Sequence, residues 1–394
     1  MPSAQAAGWQ VVETLTKSPS NQYGEAVAVS RDGNITAVTQ AREPCADGKL
    51  RCGAVYMYVR DQGHWSQQAK LFASDGVQDT QLGGYDYLDR TVTLNDDGTV
   101  MAVATNSFGL GKGAVYVFVR SGNTWSEQQK LALPTALLPA AQVCANDSFG
   151  RSLALSGDGN VLIVGAGNEC LAGNTGAAYL FTKTANQWTA QTRLVGSRVE
   201  PSGDGNTRTS AFGASVDISG DGSTLLVGSQ GLTSDLQHAY IFNKNAAGTW
   251  NEKAILTPAD KPQRSGFGFS VALNRSGNTA LVGGYGDRGA AYIYTKNSGL
   301  NGIWKQEAKI GANITSRSSF GFSFSLDLDD SGTHAIVGDW GTRKAFLFTR
   351  VGNYVWSPEL IDTLGGGNGS SVTISGDGTT LLDSGPGHFT TLQK

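Results

Sequence analysis

Charge is scarce in this 394-residue chain: only 16% of residues are charged, and the net charge is −3. Without a basic field to gather phosphates, nucleic acid is not an expected partner. No apolar run reaches the ~18 residues that a membrane-spanning helix needs, so no helical span is predicted. Histidine is rarer still. His64, His238, His334 and His388 lie far apart, each expected as an ordinary strand or surface residue. No GxSxG elbow, HExxH pair or phosphate loop is present, so no catalytic constellation is predicted. The acid pairs Asp96/Asp97 and Asp329/Asp330 fall in turn sequences and are expected to be solvated.

Cysteine is limited to two local pairs, Cys45/Cys52 and Cys144/Cys170. Neither has the close spacing or neighbouring histidine of a zinc site. Cys144 and Cys170 flank a predicted hairpin that turns near Asp158-Gly159, an arrangement suited to a disulfide. Two disulfides and an oxidising compartment are expected, with free buried thiols as the alternative. The N-terminal MPSAQAAGW is small and polar and lacks the apolar segment of a signal peptide; it fits a start Met placed where such a segment was removed.

Glycine is abundant, at 53 residues, and much of it is periodic. A turn motif recurs seven times: SRDGN at Ser30, NDDGT at Asn95, SGDGN at Ser156, SGDGS at Ser219, NRSGN at Asn274, DDSGT at Asp329 and SGDGT at Ser375. Short apolar runs flank each copy, which is the pattern of a β-hairpin. After each of the first six comes a run with two aromatics spaced by two: Tyr56/Tyr58, Tyr116/Phe118, Tyr179/Phe181, Tyr240/Phe242, Tyr292/Tyr294 and Phe346/Phe348. Residues i and i+2 of a strand share a face, so each pair is expected to offer one aromatic surface. A tryptophan segment follows, at Trp65, Trp125, Trp188, Trp250, Trp304 and Trp356.

The seventh turn, Asp377-Gly378, has no tryptophan after it, but GWQVVETL at Trp9 matches TWSEQQKL at Trp125. The N-terminus is therefore expected to complete the last unit. The fold predicted is all-β: a seven-bladed β-propeller of four-stranded antiparallel blades, closed by the N-terminal strand. It forms one domain over 1–394, with blade 7 shared between about 8–16 and 364–394. A linear solenoid is the alternative, disfavoured by the split seventh unit.

At these residues the chain resembles the FG-GAP repeat family, the repeat of integrin α-subunit propellers. Phe-Gly stands at Phe149-Gly150, Phe212-Gly213 and Phe267-Gly268, with Tyr23-Gly24, Leu88-Asp89 and Phe322-Ser323 as variants. The Gly-Ala-Pro position falls at Gly165-Ala166-Gly167, Gly228-Ser229-Gln230, Gly283-Gly284-Tyr285 and Gly338-Asp339-Trp340, and no copy keeps the full triplet. The resemblance implies a propeller. Family members include adhesion receptors, secreted binding proteins, lectin-like proteins and domains appended to enzymes.

The family's hairpin turn often holds Ca²⁺ through an Asp-x-Asp-x-Asp-Gly loop with an acid at its ninth position. Here the ninth positions are Thr36, Met101, Leu162, Leu225, Ala280, Ala335 and Leu381, none of them acidic. Only Asp217 and Asp327 begin a loop correctly, so Asp217/Ser219/Asp221 and Asp327/Asp329/Ser331 are the best remnants. No cofactor is expected, and Ca²⁺ at the turns near Asp217 or Asp327 is the alternative. The motif is read as a tight turn, with Asp and Ser capping local N–H groups.

The uniform Asp-Gly turns mark one plain face of the ring. The other face carries the long, varied loops 40–51, 74–87, 132–146, 196–210 and 260–265, where binding is expected. Both cysteine pairs lie in these loops. Candidate ligand-binding residues there are Tyr85, Asp86, Tyr87, Tyr285, Asp287, Arg288, Asp339, Trp340 and Arg343: aromatics beside carboxylate and guanidinium, suited to sugar stacking or a protein hot spot. The alternative is loop aromatics tucked against neighbouring blades. The apolar segment 131–143 is a candidate cover or partner patch. The function expected is a secreted, periplasmic or cell-surface non-enzymatic module that binds a glycan or protein. A polysaccharide lyase using Tyr and Arg on the same face, and a scaffold for protein assembly, are the alternatives.

Overall fold

The computed structural model describes residues 8–17, 23–45, 48, 51–77, 79–84, 90–105, 113–138, 148–167, 176–198, 210–231, 237–262, 266–284, 289–297, 302–311, 322–339, 341–361, 371–385 and 387–394. Its strands form seven antiparallel sheets of four strands each. Strand β1 (Gln10–Thr16) opens the chain. Blade 1 is then β2 (Tyr23–Val29), β3 (Ile35–Gln40), β4 (Ala54–Asp61) and β5 (His64–Leu71). Blade 2 is β6 (Val92–Leu94), β7 (Val100–Ala104), β8 (Ala114–Ser121) and β9 (Thr124–Ala132). Blade 3 is β10 (Phe149–Leu155), β11 (Val161–Ala166), β12 (Ala177–Thr184) and β13 (Gln187–Leu194). Blade 4 comprises β14 (Ser210–Ile218), β15 (Thr224–Gly231), β16 (His238–Lys244) and β17 (Trp250–Leu256). Blade 5 has β18 (Ser270–Leu273), β19 (Thr279–Gly284), β20 (Ala290–Asn297) and β21 (Ile303–Ile310). Blade 6 has β22 (Phe322–Leu328), β23 (His334–Asp339), β24 (Lys344–Gly352) and β25 (Val355–Ile361).

Blade 7 is β26 (Ser371–Ile374), β27 (Thr380–Gly385) and β28 (His388–Gln393), completed by β1 in the order β1-β28-β27-β26. Gln10 pairs with Gln393 and Thr16 with His388, so the first strand fills the edge that the last would leave open. Ring closure of this kind removes a long unpaired edge, where another chain would add on.

Every sheet is apolar on both faces, because each is pressed between two neighbours. Seven buried clusters result, one per junction. Tyr23, Tyr58, Trp65 and Phe389 fill the junction of blades 7 and 1, for example, and Phe212, Val216, Leu225 and Tyr240 that of blades 3 and 4. The third-to-outer strand pairing of the first six blades carries a register shift, as at Met57/Tyr58, Val117/Phe118 and Leu180/Phe181. A bulge there increases twist and re-aims the aromatic that follows.

Candidate functional site at the propeller axis

The Phe-Gly motif is a junction device. Phe149 meets Tyr179 at 5.9 Å and Phe181 at 6.0 Å, both edge-on. Phe212 does the same with Tyr240 and Phe242, and Phe267 with Tyr292 and Tyr294. In these three blades the aromatic surface expected of each pair closes on the Phe of its own blade. Their edge-to-face geometry adds to the area they bury. The following glycine has φ 92° at Gly150, 83° at Gly213 and 88° at Gly268. A Cβ on Gly213 would land on the Ala177 carbonyl oxygen of the preceding blade. In blade 6 the position is Ser323, at φ 64°, and its hydroxyl bonds the Gly284 backbone.

Two residues beyond the glycine position, a serine in blades 3 to 6 (Ser152, Ser215, Ser270 and Ser325) ties the inner strand to the next blade. Ser215 Oγ donates to Gly268 O (2.9 Å), Ser270 Oγ donates to Ser323 O (2.5 Å), and Val372 N donates to Ser325 Oγ (2.7 Å). The residue between glycine and serine lines the axis at the loop face. That register position holds Glu25, Arg90, Arg151, Ala214, Phe269 and Phe324 in blades 1 to 6. Arg90, Arg151, Ala214, Phe269 and Phe324, with Ser152, Ser215 and Ser270, enclose a cavity of about 20 Å³. Phe269 and Phe324 stack at 4.6 Å with a 54° tilt. The sequence analysis did not single out this ring, although its signal is legible as FGRS, FGAS, FGFS and FSFS.

Below it, Arg90 reaches down the axis to two carboxylates. Its Nη1 lies 3.2 Å from Asp217 Oδ1 and its Nη2 3.4 Å from Asp327 Oδ1. Asp217 also accepts from Ile218 N and Leu273 N, and Asp327 from Leu328 N, Ile374 N and Thr373 Oγ1. Burial pushes the Asp217 carboxyl up, against the pull of Arg90. The guanidinium divides the axial space, leaving a chamber of about 180 Å³ toward the turn face.

The turn face is not plain at its centre. The second residue of each turn donates to the next blade: Arg31 N to Asp96 O, Asp96 N to Gly157 O, Gly157 N to Gly220 O, and Gly220 N to Arg275 O. Asp330 N then donates to Gly376 O, and Gly376 N returns to Arg31 O. Asn274 Nδ2 bridges the remaining junction to Asp330 O at 3.3 Å. Backbones paired about 4.8 Å apart, seven around an axis, enclose a belt about 11 Å across. Two ion pairs, Arg31–Asp330 (2.5 Å) and Arg275–Asp96, cross it. Asp96 and Asp330, expected to be solvated, are half-buried and ion-paired across the axis, and Asp329 is buried beside His334 Nδ1 at 2.9 Å. The glycines in the belt make room, since a Cβ on Gly157 would strike Asp96 and one on Gly376 would strike Arg31 and Asp330.

These positions do not fit a calcium ion. Asp217 and Asp327 turn to the axis, while Asp221 accepts from Ser219 Oγ and Ser223 N in its own turn. The carboxylates of each remnant thus diverge, and the ninth positions Leu225 and Ala335 are fully buried. Ca²⁺ needs six to eight converging oxygens. Among the described residues, no three His, Cys, Asp or Glu side chains converge as metal ligands.

On the loop face, Cys45 and Cys52 form a disulfide with Cα atoms 4.8 Å apart. The loop it closes is clamped to the following linker: Leu82 N donates to Cys52 O, Gln81 N to Arg51 O, and Arg51 pairs with Asp79 at 2.7 Å. Cys144 and Cys170 lie outside the described residues, as do Tyr85, Asp86, Tyr87, Tyr285, Asp287, Arg288 and Trp340. Asp339 is fully buried at the end of β23 and accepts from Thr342 Oγ1 at 2.6 Å. Arg343 is exposed in the same loop, with φ 59°. No helix among the described residues is long and apolar enough to cross a membrane.

The FG-GAP repeat pattern matches residues 125–181 and 250–294. Those two segments span the outer strand of one blade to the third strand of the next, the register in which the repeat recurs around the ring. No curated protein matches the sequence. Among solved structures it is similar to the β-propeller domain of Myceliophteria thermophila Cps50 (Swd1), with TM-score 0.60 and 11% identity over 96% of this chain and 98% of that one. It is also similar to the Pseudomonas aeruginosa periplasmic gluconolactonase PpgL (TM-score 0.55, 14% identity, 86% and 84% covered). A chain of a mitotic checkpoint complex gives TM-score 0.60 at 14% identity, with 100% and 94% covered. At such identities the likeness extends to the fold alone.

Proposed function

We propose that this FG-GAP propeller is a non-enzymatic binding module, secreted, periplasmic or at the cell surface, that engages a protein or glycan through its loop face. The observation that carries this reading is the contrast between the two ends of the axis. The turn end is tied by a hydrogen-bonded belt and crossed by two ion pairs, whereas the loop end carries charged residues in blades 1 to 3 and Ala214, Phe269 and Phe324 in blades 4 to 6, beside a disulfide-closed loop. A rigid frame with varied loops lowers the entropy lost on binding. The Cys45–Cys52 bond supports an oxidising compartment. The residues proposed for contact on the outer part of this face are Tyr85, Asp86, Tyr87, Tyr285, Asp287, Arg288, Trp340 and Arg343, with the buried Asp339 holding the Thr342 turn behind them.

The test is capture of ligands from glycan and peptide arrays, repeated with Trp340→Ala and Arg343→Ala. Loss of binding in either variant supports the reading. Binding that ignores every loop-face substitution overturns it.

A further inference from the structure

The turn face is not uniform around its rim. In each of the first six blades a hairpin joins the third and outer strands, and in an antiparallel sheet it returns at the same end as the inner turn. Its tip is polar or small in blades 1 to 4, as at Gln62-Gly63, Gly122-Asn123, Ala185-Asn186 and Ala246-Ala247-Gly248. In blades 5 and 6 it is apolar. Ile303 opens β21, and Val351, Tyr354 and Val355 form the tip between β24 and β25, all between 53% and 70% exposed. They are four of the seven large apolar side chains exposed among the described residues, and the other three, Val11, Val77 and Val195, lie apart. The two apolar hairpins stand side by side, since Glu307 of β21 accepts from both Arg350 and the Trp356 indole N–H of blade 6. The charge of this sector changes as well. The third residue of the inner turn is an exposed aspartate in blades 1 to 4 and 7 (Asp32, Asp97, Asp158, Asp221 and Asp377), but Ser276 in blade 5 and Ser331 in blade 6. The acids that remain in the blade 6 turn are already engaged, Asp329 with His334 and Asp330 with Arg31. Lys296 and Lys305, by contrast, are exposed on either side of the blade 5 tip and take part in no ion pair among the described residues.

We propose that the blade 5 and 6 sector of the turn face is a docking surface for a lipid bilayer with anionic headgroups. An exposed apolar cluster answers either to another protein or to a membrane. Here the apolar side chains sit on hairpin tips, a shape that enters a deformable headgroup boundary without needing a complementary pocket. Tyrosine favours that boundary, and aliphatic side chains favour the layer beneath it. Lysines without acidic partners are drawn to anionic lipid. A second copy of the chain fits less well, because it would set Lys296 and Lys305 against their own kind. Strand addition onto β25 also meets Pro358, exposed in mid-strand with no N–H to donate. Docked in this way, the molecule holds its loop face away from the bilayer. The surface is therefore additional to the loop-face reading and independent of it.

Flotation with phosphatidylcholine vesicles carrying about one third phosphatidylglycerol, compared with phosphatidylcholine alone, tests the surface. The protein is expected to bind the anionic vesicles at least ~10-fold better, and to be released as salt rises from about 0.1 to 1 M. Tyr354→Gly combined with Val355→Ser should weaken that binding by ~10-fold or more. Lys296→Gln combined with Lys305→Gln should remove the preference for anionic lipid. Asn123→Ser, at the polar tip of blade 2, should change nothing. Tyr354 has φ 64°, which glycine adopts at less cost, so Tyr354→Gly should melt close to the wild type. That readout separates lost docking from lost fold. Absence of vesicle binding at low salt overturns the proposal, as does full binding by the folded tip variant. A wild-type dimer that the tip variant dissociates, seen by analytical ultracentrifugation, assigns the patch to a second copy and overturns the choice of a bilayer. Vesicle binding that Trp340→Ala abolishes and the tip variant leaves intact puts the lipid on the loop face instead.

Discussion

At the residue scale, glycine carries two different duties that composition alone does not separate. Gly213 combines φ 83° with direct contact against the Ala177 carbonyl of the preceding blade. Gly248, in the outer hairpin of blade 4, has φ 82° but only Lys244 Cε nearby, at 3.8 Å. Gly248→Ala is therefore expected to lose only the conformational part, about 1 kcal/mol, and Gly213→Ala about 3 kcal/mol or more, because a backbone oxygen cannot step aside. Urea unfolding of the two variants checks this, and equal losses would show that the close approach is immaterial. The Phe-Gly spelling was visible in the sequence, but not the partner of its glycine, which comes from a different blade.

At the element scale, six of the seven inner hairpins are held by a carboxylate in their turn, and in blade 5 the Asn274 amide oxygen takes that place. Asp158 illustrates the balance: burial raises its carboxyl, but hydrogen bonds from Ser156 and Asn160 together outweigh burial and hold it below the usual range. Asp32, Asp97, Asp221, Asp329 and Asp377 are lowered in the same way, burial opposing and hydrogen bonds prevailing. A depressed carboxyl stabilises the fold fully above its unfolded value, near 3.9. That stabilisation is lost as pH falls through the folded value. The melting temperature should therefore hold from pH 7 to about 5 and decline below about 4, and Asp158→Asn should flatten the decline. Asp217 acts in the opposite sense: raised chiefly by burial, it favours the fold most at acid pH, and that contribution fades as pH rises through its folded value. An acid limb unchanged in Asp158→Asn would show that the turn carboxylates do not matter. The turn itself was legible from Asp-Gly. The axial role of its second residue was not, because Arg31, Asp96, Arg275 and Asp330 find their partners two to three blades away.

At the scale of the whole molecule, closure depends on β1. Removing residues 1–17 leaves β28 as an open edge and takes away Trp9, which is buried with Ile336, Leu347 and Ile361 at the junction of blades 6 and 7. The truncated chain is expected to melt lower by about 10 °C or more, or to aggregate, as seen by scanning calorimetry and size-exclusion chromatography. A monomer of unchanged melting temperature would show that six complete blades and three strands suffice.

The sequence by itself determined the number of blades, the strand order within each and the way the ring closes. Those follow from local periodicity and from one displaced repeat, both written along the chain. Only the tertiary structure decided what lies on the axis, because seven inner strands distant in sequence meet there. Whether Arg90 faces two carboxylates, or Arg151 two phenylalanines, depends on which blades stand opposite one another. The physical reason is that strand pairing is set by neighbours in the chain, whereas the chemistry of the axis is set by neighbours in the ring.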